Sequence, residues 1–97
     1  MTVDQIQRKH IQFMIDWCVE VFGRSSFIKK IPTFKLYKKK MTWWRGEYDV
    51  ETNSINIVLL NHKSIIDTID TVIHEYSHYR QDMTMYDVYT EVYHRSY

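Results

Sequence analysis

Between Lys63 and Met83 apolar residues return at three- and four-residue steps, through Ile65, Ile69, Val72, Ile73, Tyr76, Tyr79 and Met83. That period calls for a helix with one buried face. At about 100° per residue, the opposite stripe holds Asp67, Asp70, Thr71, His74, His78 and Gln81, a polar strip suited to lining a cleft. Ser64 is a fair N-cap, with Asp67 in the first turn behind it. The same helix carries His74-Glu75-Tyr76-Ser77-His78, which reads H-E-x-x-H. Two imidazoles four residues apart on one helical face reach a single cation, and the intervening glutamate stands beside the remaining position as a base. The pattern points to zinc ligation by His74 and His78 and to hydrolysis through water activated by Glu75. The plainer alternative is a surface helix that carries two exposed histidines by chance, and the strong amphipathic pattern weighs against it.

The rest of the chain supplies the surface against which such a helix packs. Asp4 is a candidate cap for a first helix running to about Phe22, with Ile6, His10, Phe13, Met14, Trp17, Cys18 and Val21 as its apolar stripe and Gly23 as its stop. After Pro32, Thr33 to Lys39 alternates Phe34 and Leu36 with lysines, as a half-exposed strand does. Trp43 to Val50 and Ser54 to Leu60 are two extended runs joined by a Glu51-Thr52-Asn53 turn, which predicts a hairpin. The edge of the second run is a candidate dock for an extended peptide. The expected architecture is one α+β domain over residues 1–97: N-terminal helix, small three-stranded twisted sheet, motif helix and a short tail from Thr84.

Composition narrows the function. The 44% hydrophobic fraction and 15% aromatic content argue against disorder. The N-terminal MTVDQIQRKH has no apolar signal core and no run reaches membrane-span length, so the expected localisation is cytoplasmic, with no membrane partner. Lone Cys18 has no partner for an internal disulfide and, among Met14, Trp17 and Val21, reads as a buried thiol. A net charge of +1 conceals an asymmetry: Arg24, Lys29, Lys30, Lys35, Lys38, Lys39, Lys40 and Arg45 fall in a stretch without an acid. Trp43 and Trp44 adjoin the lysines, and rings beside cations can stack on bases while the cations meet phosphates. The bland reading of Lys38, Lys39 and Lys40 is a solvated edge protected from aggregation. Isolated His10 and His62 read as structural histidines.

The order of elements, with Gly46-Glu47-Tyr48-Asp49, Asn53-Ser54-Ile55-Asn56-Ile57 and Thr71 to Gln81 around the H-E-x-x-H core, resembles the minimal zincin fold. It is similar to the small SprT-like and phage-encoded metallopeptidase-like domains over roughly residues 43–97. The resemblance implies a zinc metallopeptidase acting on a protein or peptide substrate in a bacterial or phage-infected host cell. It implies Zn2+ on His74 and His78, with Glu75 as the base and a third ligand from elsewhere. A metzincin would place Gly and His where this chain has Gln81 and Thr84, and a peptide deformylase would need a ligand cysteine motif that Cys18 does not provide. By the resemblance, SprT-like domains take a third histidine some fifteen residues downstream, which His94 approximates. The gluzincin plan takes a downstream glutamate, which Glu91 supplies. In similar phage proteins a glutamate-containing segment follows such a tail, so a truncated or metal-deficient member is also implied. The alternative function is an inactive zincin-fold module that binds nucleic acid or a protein through Lys38, Lys39, Lys40, Trp43 and Trp44.

Overall fold

Every side chain of the segment Ser54–Val58 is buried, and the fold is arranged around it. The computed structural model describes residues 1–38 and 44–81. Its strands are β1 (Thr33–Tyr37), β2 (Gly46–Asp49) and β3 (Ser54–Val58); its helices are α1 (Arg8–Phe22) and α2 (Ile65–Arg80). Short 3-10 turns lie at Val3–Gln5 and Leu59–Asn61. The sheet order is β1-β3-β2, with β1 parallel and β2 antiparallel to β3. This is a small α+β structure of two helices and a three-stranded mixed sheet. Among the described residues, no helix is long and apolar enough to cross a membrane.

The register explains how the helices attach. Phe34, Ile55 and Tyr48 stand side by side across the sheet, as do Leu36, Ile57 and Gly46. Phe34, Ile55 and Ile57 join Ile11, Ile15 and Cys18 of α1 and Val72, Tyr76 and Tyr79 of α2 in one core. Each fully buried isoleucine contributes roughly 1.5–3 kcal/mol. On β3's other face Ser54 Oγ donates to Asn56 Oδ1 at 3.1 Å and Asn56 Nδ2 donates to Glu47 Oε1 at 3.0 Å, so these buried polar groups are satisfied. The hairpin turn uses Asn53 at φ 50°, a left-handed conformation asparagine tolerates. Asn53 also accepts from the Tyr48 hydroxyl at 2.6 Å and donates to Lys30 O at 3.0 Å, fastening the hairpin to the start of β1.

Several expectations need correction. The first α-helix starts at Arg8, and Asp4 lies in the preceding 3-10 turn; His10 Nδ1 accepts the Gln7 backbone N–H at 2.8 Å and so closes the true N-terminus. The buried stripe of α1 is Ile11, Ile15 and Cys18, whereas Phe13 is 72% exposed and Trp17 42%. Two apolar stripes run along this helix, and the sheet accepts the one whose branched side chains fit between the strands and α2. The strands are shorter than expected: β1 ends at Tyr37, β2 spans Gly46–Asp49, and Leu59 and Leu60 turn into 3-10 geometry after β3. Finally, β3 is the central strand and presents no edge; the outer strand beside α2 is β2.

Gly23 ends α1 at φ +78°, where its N–H reaches Val19 O at 2.9 Å. Its carbonyl then receives the Tyr76 hydroxyl at 2.5 Å, which ties the end of α1 to the middle of α2. Tyr76→Phe removes the donor and leaves that carbonyl unpaired, so it is expected to cost about 1–2 kcal/mol in urea unfolding. A loss below about 0.3 kcal/mol would show that water replaces the hydroxyl without penalty.

Candidate metal centre

Helix α2 begins as the sequence requires. Ser64 is its N-cap, and Ser64 Oγ accepts the Asp67 N–H at 3.2 Å. Its buried face carries Thr68, Val72, Tyr76 and Tyr79, and this packing settles the rotation of the whole helix. His74 and His78 therefore emerge on one flank, exposed and half-buried respectively. Their rings meet edge to face with centroids 4.7 Å apart, and their Nε2 atoms are 3.1 Å apart. Two nitrogens each about 2.0–2.1 Å from a tetrahedral zinc stand about 3.4 Å from one another. The observed spacing is close to that of a chelating pair, so the donors present fit a metal ion. His78 Nδ1 lies 3.5 Å from Gln81 Oε1, the partner that would keep Nε2 free to ligate.

Glu75 occupies the seam between α2 and β2. Its ligand oxygen and the two imidazole nitrogens lie within 4.8 Å of one another, and among the described residues these three make the metal-competent group. The side chain is 8% exposed. Burial raises its pKa above the usual carboxylate range; the neighbouring His78 and His74 and a hydrogen bond from the Tyr48 backbone pull the other way, and Glu47 adds a small upward push. A carboxylate that is partly desolvated but held by an amide is both oriented and more basic than one in water.

The group opens on a cleft with two lobes that meet at Gly46 and Glu75. One lobe, of about 270 Å³, is walled by Tyr48, Val50, His78 and Gln81. The other, of about 520 Å³, is walled by Trp44, Asp67, Asp70, Thr71 and His74. The polar strip of the motif helix thus faces a cleft, as its periodicity implied. Gly46 permits the close approach of β2 and α2: a Cβ there would come within 2.6 Å of Thr71 Cγ2 and 3.1 Å of Asn56 O.

Other candidates fall differently. His94 and Glu91 lie outside the described residues, as do Lys39, Lys40, Trp43 and the tyrosines Tyr86, Tyr89 and Tyr93. Of the basic and aromatic segment, Lys38 is exposed and Trp44 lines the cleft. Tyr76 and Tyr79 are no oxyanion donors: the first gives its hydroxyl to Gly23 O, and both rings are buried in the core. Tyr48 borders the cleft, but its hydroxyl donates to Asn53 and burial pushes its pKa up to about 12. Cys18 is buried as expected, and desolvation pushes its thiol up to about 11, which disfavours the thiolate. Sequence reasoning missed Gly46, whose signal was a glycine inside a strand pattern, and the Tyr48 backbone, which carries no signal. No protein-family model, curated protein or solved structure matches the chain.

Proposed function

We propose that the chain is a zinc-dependent peptidase of minimal zincin design, with His74 and His78 as ligands and Glu75 as general base. The convergence of the two Nε2 atoms at 3.1 Å beside a buried carboxylate carries this reading. The third ligand is assigned to His94, with Glu91 as its rival. A zinc ion held there supplies a Lewis acid for the scissile carbonyl and a water acidified towards neutrality.

The chain's own groups do the rest. Glu75 accepts the proton of the attacking water and returns it to the leaving amine. The Tyr48 amide keeps the Glu75 carboxylate turned towards the cleft. Gln81 orients the His78 ring through Nδ1. Beyond Gly46 the outer edge of β2 has no strand partner among the described residues, and an extended peptide lying along it would pass Glu75.

The test is metal content joined to cleavage. The purified chain is expected to hold one zinc, to cleave an unfolded protein substrate, to lose cleavage on chelation and to regain it with added zinc. His94→Ala should weaken zinc binding far more than Glu91→Ala; the reverse order favours the gluzincin plan. Cleavage that survives removal of all metal would overturn the assignment.

A further inference from the structure

Among the buried polar groups that this chemistry leaves unused is His62. It is 6% exposed, in the link between β3 and α2. Its Nδ1 lies 3.2 Å from Leu59 O, and because a carbonyl oxygen only accepts, Nδ1 carries the hydrogen. Nε2 is then an acceptor, and Thr71 Oγ1, 2.8 Å away, donates to it. That bond fixes the Thr71 side chain, whose Cγ2 occupies the space a Gly46 Cβ would need. Thr71 stands one turn before His74 and Glu75 on α2, Gly46 opens β2, and Gly46, Thr71, His74 and Glu75 border the same lobe of the cleft.

We propose that His62 is a positioning residue for the metal centre: through Thr71 it sets the separation of β2 and α2 at which Glu75 meets the Tyr48 amide beside the converging histidines. His62 itself binds no ion. The inference rests on the metal-site reading above. Its physical content is that a side chain locked at both ring nitrogens leaves Thr71 a single orientation, and a strand laid directly against that methyl can neither approach nor recede freely.

Cobalt(II) is the probe, because its visible absorption reports both affinity and ligand geometry. Thr71→Val keeps the shape and removes the donor, and is expected to weaken cobalt binding about tenfold, the usual scale for groups one step outside a metal's ligands, with a changed spectrum. His62→Leu removes both ring nitrogens and leaves Thr71 with its methyl in place, and should weaken cobalt binding to the same extent as Thr71→Val. Tyr76→Phe, which loses a buried hydrogen bond on the core side of the same helix, controls for general loss of stability and should bind cobalt like the parent. The proposal is overturned if Thr71→Val or His62→Leu weakens cobalt no more than Tyr76→Phe does. If the parent chain itself binds no cobalt, the metal reading fails, and the positioning role falls with it.

Discussion

Glu75→Gln is expected to retain zinc and the fold while lowering peptide hydrolysis by at least a hundredfold. Positioned proton transfer contributes typically about 10²–10⁴-fold, and an amide cannot accept the water's proton. The amide is nearly the size of the carboxylate, and its oxygen still accepts the Tyr48 N–H, so the seam between α2 and β2 stays closed. The same variant should be more stable than the parent when metal is absent. Burial is the largest cause of the raised Glu75 pKa, so the folded protein releases this proton at higher pH than the unfolded chain. As pH rises from the ordinary carboxylate value towards the raised one, the unfolded state ionises first and stability falls; above that window the full penalty remains. Glu75→Gln removes this fall, so urea unfolding of the metal-free proteins at pH 4 and pH 8 should show a smaller decline for the variant. A variant that cleaves at the parental rate would sink the peptidase mechanism. An unchanged pH dependence would show that the carboxylate is solvated in the metal-free protein.

His74→Ala and His78→Ala should each lower zinc affinity by more than a hundredfold. Losing a partner of a ligand already costs about 10–100-fold, and these substitutions delete the ligand itself. The fold should survive both. His74 is exposed and His78 half-buried, and neither belongs to the apolar core, so the metal-free variants should unfold within about 0.5–1 kcal/mol of the parent. Calorimetric zinc titration beside urea unfolding of the metal-free proteins separates the two effects. Zinc binding unchanged in both variants would remove the histidines from the site. A large loss of stability without metal would make them structural residues.

Much of this was legible in the residues. The H-E-x-x-H spacing and the apolar period of α2 are local properties, since they depend only on 3.6 residues per turn: Ser64 caps the helix, Val72, Tyr76 and Tyr79 are buried and His74 and His78 converge, while Ile69 of the same stripe is 36% exposed. The hairpin was legible for the same reason, its turn lying between two runs of β-forming residues.

What depended on partners distant in sequence was not legible. Helix α1 offers two apolar stripes, and nothing local chooses between Ile11, Ile15, Cys18 and Phe13, Trp17, Val21; the space left by β1 and α2 decides. The centrality of β3 comes from its parallel pairing with β1, across an intervening strand, which no local pattern encodes. The role of His62 follows from Thr71, nine residues away, and from Gly46, which reaches them only once β2 lies against α2. The sequence by itself determined that His74, Glu75 and His78 come together, because their spacing on a helix is a local geometry. The tertiary structure alone decided which strand borders that set and how deeply Glu75 is buried, because both follow from how α2 packs on the sheet.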